Sequence, residues 1–120
     1  AICVQYWDVV TGRKIRIIEA WGQGDPLVAF RPDNQLIAVA VDSEVAIFGT
    51  EDVEPISWHT SPAGFLTQLR FSEDGQTLEL FGYKGNFARI DPITNQVFQL
   101  RNPPTGYEIG LAQLGGIPLR

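Results

Sequence analysis

The chain has 120 residues, of which 44% are hydrophobic, which suffices for one ordinary hydrophobic core and not for several. No apolar run approaches the roughly 18 residues of a membrane span, and the first eight residues lack the basic lead and apolar core of a secretory signal. The formal net charge is −5, and the only basic cluster is Arg13, Lys14 and Arg16, which disfavours nucleic-acid binding.

The first thirty residues are predicted to form β-strands. Short runs rich in β-branched and aromatic residues recur between Gly, Pro, Asn and Asp clusters, whereas no twelve-residue window keeps the spacing of an amphipathic helix. We predict a first strand over residues 2–7 and a second over 13–19, joined by a turn at 9–12. A loop with two glycines, 20–25, leads into a third strand over 26–30. The pattern therefore predicts an all-β chain.

The next stretch, Phe30-Arg31-Pro32-Asp33-Asn34, predicts a tight hairpin turn. Proline presets φ for the second position of a type I turn, and Asp and Asn can bond their own backbone and tolerate positive φ. The following strand, 36–41, is almost wholly apolar, so we expect it to be covered on both faces. Two more strands are predicted over 44–48 and 54–59, which completes a unit of four strands.

The hairpin turn returns as Phe71-Ser72-Glu73-Asp74-Gly75. The offset is 71 − 30 = 41 for the phenylalanines, 74 − 33 = 41 for the aspartates and 78 − 36 = 42 for Leu36 and Leu78. Gly75 stands where the first copy has Asn34, which suits a left-handed residue at the end of the turn. A second run of four strands follows, predicted over 65–71, 77–82, 87–90 and 96–100.

A period near 41 with four strands per unit is typical of β-propeller blades, whose repeats span about 40–45 residues. We therefore predict four-stranded antiparallel meanders that form about three blades, as a fragment of a larger propeller. Residues 1–25 are the end of a preceding blade, 26–59 the first full blade, 60–100 the second, and 101–120 the start of a third. The third blade would open with a strand over 107–114.

These motifs resemble the WD40 family of β-propellers. Trp7-Asp8 followed by Thr11-Gly12 is similar to the dipeptide and turn that end the family's third strand. The family's Phe-Ser-Pro-Asp-Gly signature is matched at Phe30, Pro32 and Asp33 and again at Phe71, Asp74 and Gly75. The resemblance also implies structural roles for two further aspartates, Asp42 in the turn after the second strand and Asp91 after the third strand of the next unit.

The chain departs from the family pattern at several positions. Phe48-Gly49 and Ile90-Asp91 replace two of the Trp-Asp dipeptides, and Trp21 and Pro62 stand where the family has its Gly-His pair. The hydrogen-bonded network of His, Ser, Asp and Trp is therefore not expected, and stability must come from packing.

Side chains that carry chemistry are few. His59 is the only histidine and Cys3 the only cysteine, and we interpret them as a strand-end or loop residue and a small apolar strand residue. The acidic side chains fall mostly in turns, where Asp is chosen for backbone bonding. We therefore predict no catalytic, cofactor-binding or metal-binding residue. Trp21 and Trp58 are either packing residues or anchors for a protein partner.

The resemblance implies a protein–protein interaction scaffold, a WD40-like propeller segment of a larger signalling or regulatory protein. Because this stretch shows no signal peptide or membrane span, we expect the cytoplasm. Its partners would be other proteins or other blades of the same propeller, with no cofactor, nucleic acid or membrane. Propellers hold such partners through loops on a rigid frame.

Two alternatives remain open. The stretch from Asp8 to Arg13 is similar to the Asp-x-x-Thr-Gly-Lys turn of quinone-dependent dehydrogenases, although Ile17 and Ile18 stand where those repeats place Trp. The other alternative is a small propeller that closes as a homo-oligomer. An open arc of about three blades would leave an apolar face at each end, and such faces recruit other chains.

Overall fold

The computed structural model of the chain describes residues 3–19, 21, 24–52 and 54–102. Within these residues the structure consists of β-strands and one short 3-10 turn, and no helix is long and apolar enough to cross a membrane. The predictions of an all-β chain and of four-stranded antiparallel meanders are confirmed. The strand predicted over 107–114 lies outside the described residues.

The strands form one hairpin and two open sheets, each in sequential order. The hairpin pairs β1 (Cys3–Trp7) with β2 (Lys14–Glu19). The first sheet contains β3 (Leu27–Phe30), β4 (Leu36–Val41), β5 (Glu44–Gly49) and β6 (Ser57–Thr60). The second sheet contains β7 (Leu66–Phe71), β8 (Leu78–Gly82), β9 (Phe87–Ile90) and β10 (Val97–Arg101), with the 3-10 turn Tyr83–Gly85 between β8 and β9.

The two copies of the predicted hairpin turn have the same geometry. In the first, the Asn34 amide donates to the Arg31 carbonyl at 2.7 Å, and Asn34 has a φ of 61°. In the second, the Gly75 amide donates to the Ser72 carbonyl at 2.9 Å, and Gly75 has a φ of 75°. The predicted left-handed residue at the end of each turn is therefore confirmed.

A second turn also recurs, at Asp8–Gly12 and at Asp91–Asn95. In each, the aspartate carboxylate accepts the backbone N–H groups two and three residues on, at 2.9 and 3.2 Å in the first copy and at 2.8 and 3.1 Å in the second. The last residue of each turn has positive φ, 72° at Gly12 and 66° at Asn95. The two stretches thus share one fold although their sequences differ.

The strand register corrects one of the predicted equivalences. Phe30 pairs with Ile37 in the first sheet, and Phe71 pairs with Leu78 in the second. The equivalent of Leu78 is therefore Ile37, at 78 − 37 = 41, and its match with Leu36 is wrong by one residue. The cause is the two-residue period of a strand: Ile37 packs with Val4 of the hairpin and Leu78 packs with the first sheet, so both face the preceding unit, whereas Leu36 faces the following one.

The first sheet is covered on both faces, as predicted for its apolar second strand. All six residues of β4 are buried. Leu36, Ala38 and Ala40 pack toward the second sheet, while Ile37 and Val39 pack toward the hairpin.

The face of the second sheet that turns away from the first sheet carries charged side chains. On the side turned away from the first sheet, the Glu79 carboxylate binds the Arg70 guanidinium at 2.5 Å and the Arg89 guanidinium at 3.3 Å, next to Phe81 and Phe87. The equivalent positions of the first sheet, by register, are Ala29, Ala38 and Ile47. An ion-paired row on this face of the second sheet therefore stands where the first sheet has three apolar residues.

Backbone hydrogen bonds and close backbone packing connect the two sheets. β7 lies against β3 and β4 of the first sheet. The Leu66 amide donates to the Asp42 carbonyl at 2.8 Å, and the Ser61 amide donates to the Ser43 carbonyl at 2.7 Å. Gly82 is buried so close to the connecting segment that a Cβ atom there would overlap the carbonyl oxygen of Ala63.

We expect Gly82→Ala to destabilise the chain by about 1–3 kcal/mol, because the obstructing atom belongs to the backbone and cannot rotate away. Urea unfolding followed by circular dichroism measures the change. A variant that unfolds at the wild-type urea concentration would contradict the close approach.

We expect Gly75→Val to destabilise the chain by about 1–2 kcal/mol, because a branched side chain is strained at positive φ. Asn34→Gly at the equivalent position should be neutral or mildly stabilising. Thermal unfolding of both variants tests this, and a Gly75→Val variant that melts with wild type would show the turn register to be wrong.

Gly12→Val is the matched control, since Gly12 has a φ of 72° and open space where a Cβ would stand. At Gly75 that Cβ would be 3.1 Å from Arg31 Cγ. The two variants share the cost of positive φ, so the difference between them measures crowding against Arg31.

Candidate partner-binding site

The candidate site is built on the outer strands of the first sheet, β5 and β6. Glu44 pairs with Thr60, and Ala46 pairs with Trp58, so these four side chains share one face of the sheet. β6 is the edge strand, which has a neighbour on one side only within the described residues. The free edge places Trp58 where another molecule can reach it.

Hydrogen bonds hold Trp58 in one orientation. The indole N–H donates to one carboxylate oxygen of Glu44 at 2.9 Å, and the Thr60 hydroxyl donates to the other oxygen at 3.2 Å. A tryptophan ring fixed in this way loses little conformational entropy when a partner binds.

Trp21 completes the site. Its ring centroid lies 4.5 Å from that of Trp58, and the two ring planes are tilted by 43°. Trp21 also packs against the apolar cluster between the hairpin and the first sheet, and its indole nitrogen is buried with no hydrogen-bond partner among the described residues. The structure therefore brings together the two tryptophans that the sequence singled out separately.

The surface of the pair is partly open to solvent. Trp58 is 49% exposed, and Ile56, just before β6, is 47% exposed. Trp21, on the inner side of Trp58, is half-buried. An amphipathic aromatic ring with an apolar neighbour and a rigid base is the type of surface that anchors protein partners.

The site belongs to the first unit alone. The register makes Asn86 the equivalent of Glu44 and Leu100 the equivalent of Trp58, both at an offset of 42. Pro62 stands 41 residues after Trp21. None of the three members recurs in the second unit, so the repeat architecture does not require them.

The residues predicted to define the repeat lie in strands and turns. Asp33 and Asp74 each accept the backbone N–H two residues on, at 2.9 and 3.0 Å. The Arg31 side chain beside Asp33 and the Gln76 amide beside Asp74 lower the pKa of these carboxyls, so both are charged. Trp7 is 52% exposed, with the Lys14 ammonium 5.7 Å from the ring centroid.

Two further positions of the predicted motif carry backbone roles. Asp42 has a φ of 57°, and its carbonyl accepts the Leu66 amide that joins the sheets. Phe71 is buried in the core between the two sheets, where it supports the end of β7. Among the described residues no three His, Cys, Asp or Glu side chains are grouped as metal ligands.

The single histidine lies at the contact between the two sheets. His59 Nε2 is 3.4 Å from the carbonyl oxygen of Pro92, which also accepts the Ser57 hydroxyl at 2.8 Å. His59 Nδ1 is buried with no partner among the described residues. Burial lowers the pKa of His59, although the Pro92 carbonyl and the charge of Glu44 act in the opposite direction.

Comparison with known proteins adds no family to this description. No protein-family profile matches the chain, and no curated protein matches it significantly.

We expect the free energy of unfolding to fall as the pH drops below 6.5, the ordinary pKa of histidine. The folded pKa of His59 lies below that value, so the unfolded chain binds the proton more tightly and acid favours unfolding. The contribution is fully present above pH 6.5 and is lost as the pH falls through the folded pKa. Urea unfolding between pH 7.5 and 5 measures it.

His59→Gln is the control for this pH dependence, because the amide can still donate to the Pro92 carbonyl and does not titrate. Its unfolding free energy should vary less across the interval than that of the wild type. Equal slopes for the two proteins would assign the pH dependence to other groups.

Proposed function

We propose that the chain is a protein–protein interaction module, a segment of a WD40-like propeller that binds a partner through the Trp21–Trp58 pair. The observation that carries the proposal is the half-exposed Trp58 ring, packed at a tilt against Trp21 and fixed by Glu44 at the edge of a sheet.

The order and register of the strands support the propeller part of the proposal. Each sheet runs sequentially from an inner edge strand, β3 or β7, to an outer edge strand, β6 or β10. The chain returns from β6 to β7 through residues 61–65, so β7 lies beside β3. Sheets that approach each other at their inner strands and repeat at 41 residues are the arrangement expected of successive propeller blades.

The composition of the site supports binding rather than catalysis. The Trp21–Trp58 pair combines apolar area, a fixed ring and one carboxylate that already accepts two hydrogen bonds. Tryptophan is enriched among interface residues whose truncation costs about 2 kcal/mol or more. A site outside the repeat pattern, on a frame that the repeat makes rigid, is where a binding function is expected.

A photo-crosslinking amino acid in place of Ile56 tests the proposal in extracts of cells that express the chain. We expect one discrete adduct, whose yield falls about tenfold or more when Trp58→Ala is added, since Trp58 is the proposed anchor. The same photo-crosslinking residue in place of Gln76, exposed in the turn between β7 and β8, is the matched control.

Urea unfolding confirms that each variant is folded before its adducts are compared. Adducts of equal yield at both positions, or an adduct at position 56 that persists in the Trp58→Ala variant, would contradict the proposal.

A further inference from the structure

The negative charge of the chain is concentrated in the first sheet and its turns. Residues 24–60 contain one arginine and seven carboxylates, for a net charge of 1 − 7 = −6, namely Asp25, Asp33, Asp42, Glu44, Glu51, Asp52 and Glu54. Residues 61–102 contain four carboxylates and four basic residues, for a net charge of 4 − 4 = 0. The excess over the whole chain, −5, therefore belongs to the unit that carries the Trp21–Trp58 pair.

Three of these carboxylates belong to segments that carry or adjoin the tryptophan pair: Glu44 in β5, Asp42 in the turn before β5, and Asp25, four residues after Trp21. The region of these segments is called the tryptophan corner. Glu44 is bonded directly to Trp58. The Asp42 carboxylate lies against Gly24. Gly24 stands three residues after Trp21 in the sequence and is followed by the exposed Asp25. Within the described residues none of the three carboxylates forms an ion pair.

The single arginine of the unit is engaged elsewhere. The Arg31 guanidinium is 2.9 Å from the Asp33 carboxylate, in the hairpin turn at the opposite end of β4 from Asp42. The charge at the tryptophan corner is thus uncompensated by the described part of the first sheet, and it attracts cations.

We propose that the Trp21–Trp58 corner binds a basic segment of a partner protein, with an arginine side chain stacked on the exposed part of the Trp58 ring. This inference rests on the proposed binding function and names the chemistry of the partner. An arginine guanidinium stacks on tryptophan and bonds carboxylates through its remaining N–H groups. The Glu44 carboxylate retains acceptor capacity, since each of its oxygens accepts one hydrogen bond and offers two lone pairs.

The test uses fluorescein-labelled peptides of alternating arginine and glycine, with lysine–glycine and glutamate–glycine peptides for comparison. Fluorescence anisotropy with the 120-residue chain at 50 mM salt gives the affinities. We expect the arginine peptide to bind more tightly than the lysine peptide, and the glutamate peptide not to bind. Salt at 300 mM should weaken the binding, because part of it is electrostatic.

Variants show whether the peptide binds at the Trp21–Trp58 pair or is attracted only by the net negative charge of the chain. Trp58→Ala should weaken the arginine peptide about threefold to thirtyfold, the range of a stacked cation, and Trp58→Phe should recover part of the loss because it keeps a ring face. Glu44→Gln should weaken binding and reduce its salt dependence. Glu73→Gln removes the same charge from the second sheet and should leave the affinity unchanged.

The inference is overturned if Trp58→Ala binds the arginine peptide like wild type, or if Glu73→Gln loses as much affinity as Glu44→Gln. The photo-crosslinking experiment distinguishes its failure from failure of the proposed function. An adduct at position 56 that depends on Trp58 but is not displaced by the arginine peptide leaves the binding function intact and rules out a basic partner.

Discussion

The packing of β4 on both faces is the constraint on which the rest of the structure depends. A strand with no exposed residue can exist only if a layer covers each side, and here the hairpin and the second sheet supply the two layers. Alternation along the strand then assigns Ile37 and Val39 to one layer and Ala38 and Ala40 to the other. The direction of every neighbouring side chain follows from this assignment, including Ala46, which directs its partner Trp58 toward the hairpin side.

Local signals predicted the strands and turns because each of these elements is specified within a few residues. Pro32-Asp33-Asn34 and Asp74-Gly75 contain all the atoms that close their turns, and Asp91 closes its turn through its own carboxylate. The register was harder to predict. Leu36 and Leu78 are alike in sequence, yet the residue that faces the preceding unit is Ile37, because one step along a strand reverses the side chain.

The tryptophan pair and the ion-paired row were beyond the reach of sequence patterns. Trp21 and Trp58 are 37 residues apart, and only the three-dimensional arrangement of the loop and the edge strand brings their rings to 4.5 Å. Arg70, Glu79 and Arg89 stand on three different strands and align only through the pairing of β7, β8 and β9. The sequence of β8 indicated that one face of this strand is polar, since Glu79 stands between two leucines. It did not indicate ion pairs, because a single charged residue in a strand also fits a solvent-exposed face.

The two places where the second unit departs from the first have different consequences. Replacing Ala29, Ala38 and Ile47 with Arg70, Glu79 and Arg89 changes the face on which a following unit would stack, and the Arg70 hydrogen bond lowers the pKa of Glu79 so that the row stays ionised. A unit that packs on this face must accommodate guanidinium groups. The contact between the first and second sheets is different, because there Leu78 and Leu80 of the second sheet share an apolar cluster with Ala38 and Ala40 of the first.

The other departure lies at the outer edge of the first sheet, on the face that turns toward the hairpin. Trp58 in β6 lies outside the apolar cores, and its counterpart Leu100 in β10 is also exposed. The edge strand can therefore vary without disturbing the contact between sheets, which involves the opposite side of β6 through Ser57 and His59. Trp58 therefore occupies a position at which the exposed surface can change without altering the contact between the two sheets, while Trp21 joins it to the cluster beneath the hairpin.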